Sequence, residues 1–207
     1  MPLLTILIVT SLSLVLALGC EKKPPESKYI GGDSAPPATS PAEAPPTGQS
    51  PVPAIAIAGL SLSPDPSWRA EAPTSAMRKA QYTVGNIADP AQIVVFHFGA
   101  GQGGGVESNL VRWARLVLDE NNQPTLPQIE EQDVGPLHIT LATFTGTYMA
   151  GAPGGEKTPK PGWTLIAGVI ENGPNGTLYP RLVGPSAVVD SARESFVRFV
   201  KSAAVTP

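Results

Sequence analysis

The residues best placed to do chemistry form one glycine-rich run, Gly99-Ala100-Gly101-Gln102-Gly103-Gly104-Gly105. Gly99, Gly101 and Gly104 meet the G-x-G-x-x-G spacing, after an apolar β-type run and before a helical one. Backbone N–H groups in such a turn, joined to a helix N-terminus, can cradle a phosphate. Three features speak against a nucleotide here. The preceding run, 92–98, is expected to pair in a hairpin rather than open a βαβ unit. The next strand, 137–146, ends without the Asp or Glu that would take a ribose hydroxyl. No Lys-Ser/Thr follows the glycines, so the Walker pattern also fails. The segment therefore reads as a flexible strand-to-helix loop. Gly101, Gly103, Gly104, Gly105 and Asn109 are its candidate contact residues.

Other reactive side chains are isolated. His97 and His138 fall in expected strands with no second ligand at metal spacing. Glu130, Glu131 and Asp133 read as a solvated acidic loop, and no Gly-x-Ser-x-Gly elbow occurs. Trp68, Trp113 and Trp163 read as core, and one found exposed would mark a binding surface. No catalytic group, metal or cofactor is expected.

Cys20 is the only cysteine, so the chain beyond it has no disulfide, thiol nucleophile or thiolate metal site. It closes an apolar run, 3–18, that has the length and composition of an export-signal core. Ala17-Leu18-Gly19-Cys20 resembles the lipobox of bacterial lipoproteins, in which signal peptidase cuts before a cysteine carrying a diacylglycerol. The aliphatic residue usual three before the cysteine is one step early, at Leu16, and no Lys or Arg precedes the run. The run is shorter than the ~20 residues of a spanning helix. A signal over 1–19 and a membrane anchor through lipid on Cys20 follow from the resemblance. An uncleaved membrane anchor is the rival reading. Two acyl chains hold a protein at a membrane stably where one does not.

Residues 20–53 are rich in Pro, Ser, Ala, Thr and Gly and carry few large apolar side chains. Such a segment cannot offset its ordering entropy by burial, which predicts a disordered or polyproline-like tether. Residues 54–207 then make one domain, long enough to own a core. The chain carries 14 Lys and Arg against 17 Asp and Glu, a formal charge of −3. With no basic stripe, nucleic acid is not an expected partner.

The elements that must position the glycine run follow from periodicity. Residues 56–62, 77–84, 92–98, 137–146, 163–171 and 177–183 read as strands. Gly85-Asn86 and Asp89-Pro90 mark one turn, Asn172-Gly173-Pro174-Asn175-Gly176 another, and 151–162 a long loop. Residues 107–119 read as a helix with Leu110, Trp113, Ala114 and Val117 on one face. A second begins between Ser186 and Ser191, with Ala192, Phe196, Phe199 and Val200 on its apolar face. Short turns demand antiparallel pairing, and apolar helix faces demand a sheet. The expected fold is α+β, a mainly antiparallel sheet of about six strands covered by two helices.

The run from Leu60 to Trp68, the later hairpin, and Gly184-Pro185 leading into Phe196-Val197-Arg198-Phe199-Val200-Lys201-Ser202 resemble the PsbP-like fold. Ser75-Ala76-Met77-Arg78-Lys79-Ala80-Gln81-Tyr82, with the glycine run before Asn109 and Trp113, is similar to a pattern in uncharacterised bacterial lipoproteins. The resemblance implies a PsbP-like sandwich in a non-catalytic binding or assembly protein, and it carries over no active site. Pro180 departs from it and implies an edge or bulge in the last strand. The expectation is a lipid-anchored extracytoplasmic domain that binds a protein or envelope partner. The alternative is a small-ligand or phosphate module using the glycine loop, which would need a pocket above it.

Overall fold

Alternation in 78–96 sets the frame. In the computed structural model, which describes residues 53–206 apart from 87 and 153, β4 (Arg78–Val84) and β5 (Ala91–Phe96) form an antiparallel hairpin. Asn86 closes it, its Oδ1 accepting the N–H groups of Ala88 at 2.8 Å and Asp89 at 3.3 Å. The expected signal segment, Cys20 and nearly all of the tether lie outside the described residues.

The strand expected over 56–62 is instead a hairpin, β1 (Ile55–Ile57) and β2 (Leu60–Leu62). Ala58 and Gly59 turn it, with φ of 52° and 79°. Left-handed backbone at both central residues matches the twist of a two-residue hairpin, and the apolar alternation conceals it. With β11 (Ala204–Val205) this hairpin makes a small three-stranded sheet.

The main sheet has eight strands rather than six. Its order is β3 (Arg69–Glu71), β4, β5, β10 (Tyr179–Pro185), β9 (Thr158–Glu171), β8 (Leu137–Ala150) and β6 (Val117–Leu118). β7 (Gln128–Val134) also pairs with β8, and all pairings are antiparallel. The extra strands are short, as β3 and β6 are, or polar, as β7 is, with Glu130, Glu131 and Asp133 exposed along it. An exposed strand has no apolar face to announce it.

The first helix is shorter than expected. α1 (Val106–Ala114) stops at the Arg115 cap, and the chain turns so that Val117 and Leu118 pair with Tyr148 and Thr147. Val117 is buried beside Trp113 as the apolar face implies, but from a strand. The loop expected over 151–162 is shorter too, because β8 and β9 pair out to Ala150 and Thr158. Pro159 and Pro161 are tolerated there because β10 pairs with β9 only from Trp163 onward, leaving that end of β9 an edge.

Pro180 is neither at an edge nor in a bulge. It lies in central β10, and the flanking pairs Leu178↔Ile170 and Arg181↔Ala167 keep one register across it. The facing residue is Gly168, whose missing Cβ would stand 3.0 Å from the proline ring. A glycine opposite the proline leaves room for the ring.

The sheet is covered on both faces. On one, α2 (Ser186–Lys201) buries Val189, Ala192, Phe196, Phe199 and Val200 against Ile93, Ile166, Ile170 and Leu182. Trp68 meets Phe199 edge-on at 5.2 Å. On the other, α1 and β6 set Trp113 and Val117 over Phe144, Leu165, Ala167 and Val169. This double cover explains why β9 is buried continuously from Thr164 to Ile170. Each large side chain so buried contributes about 1.5–3 kcal/mol. α1 is short, however, and the second face stays uncovered over β4, β5 and part of β10.

Candidate functional site

The glycine run lies where strand leads to helix. Gly101, Gly103 and Gly104 have φ of 70°, 93° and 81°, a region side chains resist. A Cβ on Gly103 would stand 2.5 Å from the Tyr179 hydroxyl, whereas Gly101 and Gly105 face open space. Asn109, 2% exposed, points its amide back into the loop. Its Nδ2 lies 3.0, 3.1 and 2.9 Å from the carbonyl oxygens of Gly103, Gly104 and Gly105. Tyr179 Oη donates to the Gly104 carbonyl at 2.8 Å. The loop expected to be mobile is thus tied to two side chains, and it turns carbonyls toward them. A phosphate cradle needs N–H groups converging instead. β5, which leads into it, pairs antiparallel on both sides, so no βαβ unit surrounds the run.

Beside this loop the uncovered part of the sheet forms a groove of about 1100 Å³. Strand parity decides its floor. In β5 and β10, Ala91, Ile93, Val95 and Leu182 turn toward α2, so Gln92, Phe96, Arg181 and Val183 turn to the groove. Strict alternation in β4 would put Arg78 on the α2 face with Ala80 and Tyr82. A bulge at Lys79 shifts the register, pairs Arg78 with Phe96, and brings Arg78 to the groove.

The lining joins aromatic surface to positive charge. Phe96, Phe98, Trp113, Tyr148, Trp163 and Tyr179 supply rings. Phe96 stacks on Phe98 at 6.1 Å, Phe98 meets Tyr179 at 5.5 Å, and Tyr148 stacks on Trp163 at 5.9 Å. Arg78, Arg112, Lys157 and Arg181 supply charge, and among the described residues no carboxylate, histidine or thiol lines the groove. The guanidinium carbons of Arg181 and Arg78 lie 5.1 and 5.5 Å from the Phe96 ring centre, within cation–π range.

The two arginines differ in their partners. Arg78 donates to Gln81 at 3.0 Å and Gln92 at 3.3 Å. Gln81 in turn donates to Glu71, which also accepts from the Thr83 hydroxyl. That hydroxyl, then the Gln81 amide, hold the Glu71 carboxyl below its ordinary range. Arg181 has no such chain. Its Nε is shut off from solvent without a hydrogen-bond partner, and among the described residues no carboxylate pairs with it. Burial lowers its pKa from the ordinary arginine value; Tyr148 works against the shift and the like charge of Arg78 with it.

The remaining sequence candidates are dispersed. His97 Nε2 lies 2.9 Å from the Asn175 carbonyl, binding the glycine loop's root to the β9–β10 turn. Half-buried His138 on β8 lies 2.7 Å from Asp133 on exposed β7, whose hydrogen bond raises the imidazole pKa. Among the described residues, no three His, Cys, Asp or Glu gather as a metal cluster would require. Trp68 and Trp113 are core, while half-buried Trp163 lines the groove under Lys160 Nζ at 5.8 Å.

Sequence reading finds Asn109 and the glycines but misses Arg78, Phe96, Tyr148 and Arg181. A signal for Arg181 exists: it is the one charge in Leu178-Tyr179-Pro180-Arg181-Leu182-Val183. Nothing marks Arg78, because the bulge that re-aims it has no sequence signature here. No family model matches the chain, and no curated protein matches it either. Among the described residues, no helix is long and apolar enough to cross a membrane.

Proposed function

We propose that this is an exported, lipid-anchored, non-catalytic binding protein whose domain holds a ligand in the groove over β4, β5 and β10. One observation carries the reading: a cavity of about 1100 Å³ lined by stacked aromatic rings and four cations, with no carboxylate among the described residues that line it. Ligand sites are mostly apolar clefts with a few fixed polar groups. The lining offers charge and apolar surface but no ordinary proton-transfer pair, which supports binding over catalysis. The site differs from the glycine-loop cradle: Asn109 and Tyr179 border it, and the floor is sheet.

The anchor belongs to the same proposal and rests on the apolar run ending at Cys20. The PsbP-like likeness is likewise proposed, supported by an antiparallel sheet with a long C-terminal helix on one face. A protein or envelope partner is the second reading, favoured by Met77 and Phe98, which are 51% and 37% exposed.

Two experiments test the proposal. Metabolic labelling with a fatty acid should mark the wild-type chain and leave Cys20→Ser unmarked; equal labelling would contradict the anchor. The neutral apolar probe N-phenyl-1-naphthylamine should bind the full chain, and Trp163→Ala should weaken it several-fold. Binding unchanged by that variant would contradict the groove as the site.

A further inference from the structure

We infer that the groove's occupant is an amphiphilic oxyanion: a phosphate-, sulfonate- or carboxylate-type group seated at Arg181 and Arg78, on an apolar body laid along Phe96, Phe98 and Tyr179. This rests on the ligand-binding reading above and adds the chemistry of the ligand.

Charge placement argues it first. The chain is net negative, yet the groove gathers Arg78, Arg112, Lys157 and Arg181 without one carboxylate among its lining residues. Arg78 faces Phe96 directly across the β4–β5 pair. Arg181 sits diagonally from Phe96, opposite Val94 on β5. Both guanidiniums therefore approach one ring from two strands, and they repel each other. Arg181 is half-buried, with Tyr148 favouring its charge and Arg78 opposing it, and a buried donor left unpaired costs stability. Arg181 leaves Nε without any partner. An oxyanion accepting from the groove-facing N–H groups of both guanidiniums removes the repulsion and forms the shorter, stronger bonds of charged pairs.

The walls argue the rest. A small inorganic anion would occupy a minor part of about 1100 Å³ and leave the rings unused. Phe98, exposed at 37%, stacks on Phe96 and meets buried Tyr179, which faces Phe96 across the β5–β10 pair, so the rings form one patch beside the arginines. That patch suits a flat or acyl body whose acid end lies at the arginines. The bulge at Lys79 bears on the same point, since without it Arg78 would face α2.

The test uses the full chain and two matched probes, the sulfonate 1-anilinonaphthalene-8-sulfonate and its neutral parent N-phenyl-1-naphthylamine, with inorganic phosphate as competitor. The wild type should bind the sulfonate at least tenfold more tightly than the neutral probe. Arg181→Met should abolish that preference, read as the ratio of sulfonate to neutral affinity in each protein; comparing the two ratios cancels probe bound elsewhere on the chain. Millimolar phosphate should not displace the sulfonate. If both probes bind and Arg181→Met alters neither, the oxyanion assignment is overturned while the ligand-binding reading stands. If neither binds the wild type, both fail. Displacement by phosphate would overturn the amphiphile and leave a free-anion site. Should Arg181→Met fail to fold, Arg78→Gln is read in the same way, with a several-fold fall expected in the same ratio.

Discussion

Arg181 holds its guanidinium carbon 5.1 Å from the centre of the Phe96 ring, in a central strand, with its Nε buried and unbonded. The cation–π contact returns about 0.5–2 kcal/mol, while the donor left unmade at Nε costs about 1–3 kcal/mol and Arg78 adds like-charge repulsion. The arginine is thus kept at the expense of stability. Arg181→Met should raise the melting temperature, by an amount corresponding to about 1 kcal/mol. A thermal melt of the unliganded variant checks this. A drop of the same size would mean that the charge is already compensated.

Asn109 should be the residue on which the loop depends most. Its amide serves the carbonyls of Gly103, Gly104 and Gly105, and it is almost wholly buried. Each such hydrogen bond contributes about 0.5–1.5 kcal/mol net. Asn109→Ala should lose about 2 kcal/mol in denaturant unfolding and speed amide exchange in 101–105. A neutral variant would show that the loop is held otherwise.

Two glycines of the same loop should respond differently. Gly101→Ala meets open space and incurs only left-handed backbone, about 1–2 kcal/mol. Gly103→Ala has that strain and also drives a methyl against the Tyr179 ring, 2.5 Å from its hydroxyl. It should be the more destabilising of the pair and should disturb the groove beside it. Equal unfolding midpoints would contradict the packing described here.

Asp65 predicts an acid dependence. Its Oδ1 accepts from the Ser67 hydroxyl at 2.6 Å, and its Oδ2 lies 3.5 Å from Arg198 of α2. The Ser67 hydrogen bonds, with Arg198 behind them, lower its pKa below 3.8 despite opposition from burial. A depressed carboxyl stabilises the fold fully above its unfolded value and loses that contribution as pH falls through the folded one. Wild type and Asp65→Asn should therefore differ most above about pH 5 and converge below pH 4. Melting curves from pH 7 to 3 check this; a gap that widens in acid would reverse the sign.

Much of this fold is legible in the sequence because burial leaves a period. The helical face of α2 and the runs at 92–96 and 163–171 show it, as do the turns at Gly85-Asn86 and Asn172–Gly176. Where burial is absent the period is absent too, so exposed β7 reads as loop. Where one alternating run folds on itself, as at Ala58-Gly59, period alone does not reveal the turn. The site is less legible than the fold. Asn109 and the glycines announce themselves by type, but Arg78 and Arg181 come together only through a bulge and a strand neighbour far along the chain.

Ligand is proposed to enter the face of the sheet opposite α2, and an NMR footprint reads that face against the others. Titrating the full chain with 1-anilinonaphthalene-8-sulfonate should shift amides and side chains at Arg78, Phe96, Phe98, Trp163 and Arg181, and leave Trp68, Phe196 and Phe199 in place. Shifts confined to the α2 face, or to the exposed strand at Gln128–Val134, would contradict the account.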